Sequence, residues 1–402
     1  MSYNLWTDCN RVPITELLSF IVDNRGKSAP TAPCGHKLIA TNCVTNNTLF
    51  PVYEKIRYIS DEIYNTWFRS HPLPGDILFV NKGTPGRVCM VPDPVDFCIA
   101  QDMIALRADD NKIYNKYLFA VLRSREIQQQ IYNTNVGDVI PHFKKQFLDQ
   151  LLIPVPERSM QEAIGDLYYT LSFKTELNKK INDNLEQQAQ AYFQELFVDN
   201  SDPAWTLGTV SDLGAVVGGS TPSKSKPEYY TEDGIAWITP KDLSINKAKF
   251  ISHGENDITE LGLKNSSASI MPEGTVLFSS RAPIGYIAIA SGEVTTNQGF
   301  KSIVPKPEIG TAYVYYFLKH NLPVIEGMAS GSTFKEVSGS TMKNVPAVIP
   351  DTETLARFNN FCAPIFVQQR ILEEQNQSLA TLRDSLLPKL MSGEIDLSDI
   401  QL

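Results

Sequence analysis

The chain has 402 residues, 36 Lys+Arg against 45 Asp+Glu, and a formal charge of −9. Its 42% hydrophobic and 20% charged residues exclude a disordered chain and suit two to four packed domains at roughly 100–200 residues each. No apolar run approaches the ~18–20 residues of a bilayer-crossing helix, the opening MSYNLWTDCNRVP lacks the flank and core of a secretory signal, and the six cysteines form no C-x-x-C pair, so a cytoplasmic protein with reduced thiols is expected.

In chain order, the segment KLIATN (Lys37 to Asn42) is followed by the strand GDILF (Gly75 to Phe79) and a basic, glycine-ended turn, NKGTPG (Asn81 to Gly86), with Arg87 next. CIAQDMIAL (Cys98 to Leu106) and GDVIPHFKKQFLDQLLIPVP (Gly137 to Pro156) complete a first domain, and a long helix is predicted from about Ser159 to Phe197. The same order then recurs. AWITPK (Ala236 to Lys241), GTVLF (Gly274 to Phe278) and SRAPIG (Ser280 to Gly285) each lie 199 positions after their first-copy partners. TTNQGFKSI (Thr295 to Ile303) resembles CIAQDMIAL, and GSTFKEVSGSTMKNVPAVIP (Gly331 to Pro350) lies 194 positions after GDVIPHFKKQFLDQLLIPVP. A second long helix is predicted from about Glu353 to Leu390.

Both helices carry spacings that alternate three and four, a heptad seam. In the first, the seam runs through Ile164, Leu167, Leu171, Lys174, Asn178, Ile181, Leu185, Gln188 and Tyr192. In the second it runs through Phe358, Phe361, Ile365, Gln368, Leu372, Gln375, Leu379, Leu382 and Leu386, every position 194 later. The alternative is two unrelated surface helices, which equal offsets over nine positions argue against. The expected fold is α+β: a globular domain at 1–157, a long helix at 158–198, a second globular domain at 199–351, and a C-terminal helix and tail at 352–402. A pseudo-two-fold repeat would set the helices antiparallel as a coiled coil, a rod of about 57 Å with the domains at its ends.

Enzyme signatures are missing. The chain has no Pro-Pro dipeptide for a base-flipping adenine methyltransferase loop, and Ile21 stands where the phosphate loop ending Gly26-Lys27-Ser28 needs its first glycine. GAVVGG (Gly214 to Gly219) has the wrong spacing for a dinucleotide turn, and the five histidines form no H-E-x-x-H. A net acidic chain is an unusual nucleic-acid binder, yet phosphate contact needs only a local basic stripe.

Cations do sit at matched places: Lys82 with Arg281, Lys144 and Lys145 with Lys335, and Lys27 near the place of Lys224 and Lys226. Lys241 has Asn42 as its partner, and Gln101 matches Gln298, a residue type that pairs bidentately with adenine. With Arg87, these are the candidate DNA contacts, Arg281 first among them because a guanidinium suits guanine or phosphate. For each alone, the alternative is a solvated surface charge. Phe334 is the aromatic expected nearest DNA; Trp205, Trp237, Tyr229 and Tyr230 are expected in packing.

The domain–helix–domain–helix order, with GGSTPSKSKPEYY, AWITPKDL, GTVLFSSRAPIG, GSTFKEVS and LLPKLMSGEIDL, and with the degenerate first-copy partners DNRGKSAP and YFQELFVDN, resembles the specificity (S) subunit of type I restriction–modification enzymes across essentially the whole chain. That resemblance implies a non-catalytic subunit with no cofactor of its own. Each globular half would read one half of a split double-stranded DNA site. The helices would act as ruler and docking surface for two methyltransferase (M) subunits, which would carry S-adenosylmethionine, with motor-nuclease (R) subunits where present. Leu167, Leu171, Ile181, Leu185, Phe361, Ile365, Leu372, Leu379, Leu382 and Leu386 would then form the helix seam or dock partners. The resemblance also implies DNA methylation and phage defence. Two rivals remain open on sequence: an autonomous DNA-processing enzyme with an unrecognised site, and a dimerisation scaffold.

Overall fold

A computed structural model describes residues 4–24, 26–134, 140–331 and 335–395. It divides into two compact units, residues 1–178 with 375–402, and residues 179–374. Each unit holds one globular part and a segment of each long helix, Arg158–Gln194 and Thr352–Ser392. Phe334 and the residues 135–139, which open the first late loop, lie outside the described residues.

The strand that the repeat picks out is the centre of each unit. Ile77–Val80 is buried at all four positions, so its run is continuously apolar rather than alternating. Ile77 and Phe79 face the larger core, while Leu78 and Val80 face a second one. In the second unit Val276 and Phe278 face the core with the long helices, and Leu277 faces the smaller one. The surrounding sheets match. In the first unit the order is Leu18–Asp23, Met103–Ala108, Ile77–Val80, Val88–Met90, all antiparallel. In the second it is Gly214–Gly218, Lys301–Pro305, Val276–Ser280, Ile284–Ala290, with Phe250–Ile251 added at the edge.

A smaller sheet also repeats. His36–Ile39 pairs antiparallel with Arg57–Ile59 and parallel with Phe97–Ile99. Its counterpart Ile235–Ile238 pairs antiparallel with Asn256–Ile258 and parallel with Thr295–Thr296. Turn chemistry keeps step: Gly75 and Gly274, then Gly86 and Gly285, have positive φ at the 199-residue offset, and Gly83 (φ 86°) is matched by Ala282 (φ 52°). The turns demand a left-handed residue at the same three steps, which is why glycine recurs at two of them.

A short core helix follows each main sheet, Asn115–Leu122 and Thr311–His320. Tyr117 donates its hydroxyl to Pro154 O (2.9 Å) and Tyr313 to Val348 O (2.7 Å), tying each core helix to the strand that precedes its long helix. Those strands close short antiparallel pairs, Arg11–Pro13 with Leu152–Pro154 and Thr206–Thr209 with Pro346–Ile349.

Within each unit the long-helix segments run antiparallel. Asn178 lies opposite Gln375 and Tyr168 opposite Arg383 in the first unit; Asn182 lies opposite Gln369 and Tyr192 opposite Phe358 in the second. Within the chain itself the expected seam is covered at alternate positions. Ile164, Asn178, Phe358, Ile365 and Leu372 are buried, and Leu171, Leu185 and Leu379 half-buried. Between them the buried residues are Tyr168, Thr175, Ala189, Cys362, Gln369 and Arg383, each one position later than expected. Leu167 and Leu386 flank the first core, beside the more buried Tyr168 and Leu387. Ile181, Phe361 and Leu382 are exposed by 46%, 39% and 46%. The buried seam keeps the 194-residue offset. Its phase was hidden because several buried positions are polar, including Ser172, Thr175, Asn178 and Gln369.

Candidate nucleic-acid interface

In each unit, the basic turn after the central strand is held against the late loop by the same hydrogen bond. Phe143 N donates to Asn81 O (2.8 Å) in the first unit and Val337 N to Ser280 O (3.0 Å) in the second. Lys82 and Arg281 are the residues that follow these acceptors, so the backbone delivers both cations to the same place in their domains.

In the second unit, an open cleft is lined by Lys224, Lys241, Arg281 and Gln298, together with Asn297 and Glu255. A neighbouring cleft shares Arg281 and Ala282 and continues to Lys335, Glu326 and Glu336. Five of the second domain's six candidates therefore converge; Lys226 instead pairs with Glu228 at 3.6 Å. Lys241 stands in the first turn of the helix Pro240–Ile245, whose start is fixed by a capping box between Thr239 and Asp242. Its ammonium meets Glu255 at 2.5 Å, and that hydrogen-bonded carboxylate raises the Lys241 pKa. Gln298 accepts from the Thr221 hydroxyl. Trp237 is 5% exposed with its indole N–H on Ser220 O (2.9 Å), a packing residue rather than a stacking platform. Trp205 bonds Asp351 at 3.0 Å, at the start of the second long helix.

The first unit brings its candidates together by the corresponding loops. Gly83 N donates to Pro141 O (3.0 Å), and Lys82 forms an isolated bridge with His142. Gln101 donates to Ser28 Oγ (3.2 Å), as Gln298 is tied to the corresponding loop in the second unit, and exposed Lys27 is the neighbour of Ser28. Lys145 pairs with Asp23, and partial burial lowers its pKa. Lys144 is exposed beside it, and Arg87 is exposed at the end of the turn.

Acidic partners are the part that motif reading missed: Asp23, Glu255 and Glu336 each hold a candidate cation. The signal available was their position on the same loops, but a carboxylate there has no signature of its own. A second omission lies on the long helices. Phe173 and Leu177 are 36% and 40% exposed, and Val367 and Ile371, each 194 positions later, are 52% and 39% exposed. The offset itself, applied to the outward face, would have found them.

The sequence profile of the family described as the type I restriction modification DNA specificity domain matches residues 35–187 and 204–382, the two copies of the repeat. The chain belongs to that family. Within it, the type I restriction enzyme MjaIX specificity subunit of Methanocaldococcus jannaschii is 44% identical over 163 residues, 40% of this chain and 38% of that one. The HindI specificity subunit of Haemophilus influenzae is 24% identical over 80% of this chain and 86% of its own. The crystal structure of an S subunit from M. genitalium superposes with a TM-score of 0.57 at 17% identity, covering 96% of each chain, and so shares the fold. This specificity-family chain is a DNA-recognition component and not itself an enzyme. No helix among the described residues is long and apolar enough to cross a membrane.

Proposed function

We propose that this specificity subunit reads an asymmetric, bipartite site on double-stranded DNA, one half per globular domain, and docks two adenine methyltransferase subunits, with motor-nuclease subunits added where present. One observation carries the reading: both domains gather cations and a glutamine on equivalent loops, yet with different side chains, Lys82 against Arg281 and His142 against Glu336. Equivalent loops suit the same task, and different side chains suit different bases. S-adenosylmethionine belongs to the methyltransferase partners. The outward pairs Phe173/Leu177 and Val367/Ile371 support two copies of one partner, since apolar patches at equivalent positions suit equivalent surfaces. The test is to map methylated adenines in DNA from cells that express the chain with its methyltransferase. A split motif with two unlike halves is expected; an unbroken or palindromic motif would reject the reading.

A further inference from the structure

Two cations in the second domain share one carboxylate. Glu336 Oε2 lies 3.5 Å from Arg281 Nη1, and Glu336 Oε1 lies 3.7 Å from Lys301 Nζ. The carboxylate's backbone is held firmly. Glu336 exchanges two backbone hydrogen bonds with Ser330, at 3.1 and 2.9 Å, and the next residue, Val337, is bonded to Ser280, the neighbour of Arg281. Lys301 is anchored as well: its side chain is 15% exposed and also donates to Gln298 O (3.3 Å) and Phe300 O (3.2 Å). Arg281 is the half-exposed member, at 39%, and it alone of the two cations lines both clefts.

The charge pattern discriminates between ligands. A phosphate approaching Arg281 also approaches Glu336, and the two anions repel. The O6 and N7 atoms of a guanine are uncharged acceptors and meet no such penalty, while a guanidinium can serve both with two donors. Among the described residues of the first domain, the place of Glu336 is taken by His142, 194 positions earlier and bridged to Lys82. We propose that Glu336 is a positioning residue that sets specificity, steering Arg281 away from phosphate and toward a base edge, and that Lys82, bridged to His142 where Arg281 has Glu336, takes a phosphate. This rests on the DNA-reading assignment above and adds to it a division of labour between two equivalent cations.

The test uses the chain assembled with its methyltransferase partner and a panel of duplexes varied one half at a time, at several salt concentrations. Glu336→Gln should tighten binding to wrong second halves by about 3- to 10-fold, leave the correct half within about twofold, and steepen the salt slope by about one, because Arg281 becomes free to take a phosphate. Glu336→Asp, which keeps the charge, should retain discrimination. His142→Glu places the same charge in the first domain without touching the second, and should weaken all first-half sequences alike while reducing the slope by about one. If Glu336→Gln leaves discrimination unchanged or weakens every sequence equally, the proposal is overturned, and a Glu336→Asp variant that behaves like Gln overturns it too. Should Glu336→Gln fail to fold, unchanged binding and slope in His142→Glu would overturn it instead. Arg281→Ala separates the two levels. Loss of preference in that variant with no effect of Glu336→Gln rejects only the steering role, whereas no effect of Arg281→Ala rejects the DNA-reading assignment itself.

Discussion

Each unit packs its globular part on its own segments of the long helices, and the two do so with different chemistry. In the second unit the contact is ionic. Lys249, 8% exposed, pairs with Glu186 of the first long helix and donates to Gln369 of the second at 2.6 Å. Glu186 also takes Lys319 at 2.5 Å and the Tyr316 hydroxyl at 2.8 Å, and Glu373 accepts the backbone N–H groups of Lys249 and Phe250. In the first unit the corresponding helix positions are Ala380 and Thr175. There Arg123 donates to the carbonyls of Val88 (2.8 Å) and Thr45 (3.2 Å), and Arg383 pairs with Asp384 and lies over the Tyr168 ring. Even the close approach of core helix to long helix is solved twice. Gly165 leaves room for the backbone of Tyr117 in the first unit, whereas in the second Asn359 occupies the equivalent position and Gly310 makes the room. A repeat therefore conserves the backbone's path and not the side chains that hold it, which leaves each half free to diverge.

The largest effect should come from breaking the ionic side of this comparison. Glu186→Gln leaves Lys249 and Lys319 without their shared carboxylate, at a cost of about 3–5 kcal/mol. Hydrogen exchange should then rise in Thr311–His320 and stay unchanged in Asn115–Leu122; equal loosening of both would show that the units do not hold their helices independently.

Adjacent residues sharpen the seam's phase. Leu372 is 4% exposed and Ile371 is 39% exposed. Leu372→Ala should cost about 2–4 kcal/mol and Ile371→Ala under about 0.5 kcal/mol, read by denaturant titration. The reverse order would restore a different packing face.

Acid should separate the units next. Glu186 is held at about 2, below its ordinary 4.5: burial opposes its charge, but Lys249 and Lys319 outweigh it. A depressed carboxylate contributes stability that is complete above its unfolded value and is lost as pH falls from about 4.5 toward 2. Glu373 acts in the opposite sense, since burial raises its pKa and its ionised form costs stability at higher pH. Denaturant midpoints of the second unit should therefore fall with acid less steeply than Glu186 alone would dictate, and Glu186→Gln should flatten the fall.

The smallest effect on the fold is expected on the outward face. Leu177→Glu and Ile371→Glu should leave thermal stability nearly unchanged, yet each should weaken assembly with the methyltransferase; assembly at wild-type affinity in both variants would remove these patches as docking sites.

The repeat was legible because it is written in backbone demands. Glycines at left-handed steps, a strand buried on both faces and cations that follow it recur at constant offsets. The seam was half legible: Leu171, Ile365 and Leu372 announce it, but Ser172, Thr175 and Gln369 are buried while Phe173 and Val367 are not, so hydrophobicity marks the wrong neighbours. Lys249 carries no signal at all. Its partners come from three distant segments that only the folded unit assembles, and the same holds for Glu336 beside Arg281.

The central claim, one half-site per domain, is tested most directly by binding the assembled complex to duplexes varied one half at a time, with Arg281→Ala and Lys82→Ala compared. Arg281→Ala should relax preference in one half by about 1–3 kcal/mol and leave the other intact, while Lys82→Ala should weaken binding uniformly with a salt slope lower by about one. Equal loss of discrimination in both halves from Arg281→Ala would contradict the account.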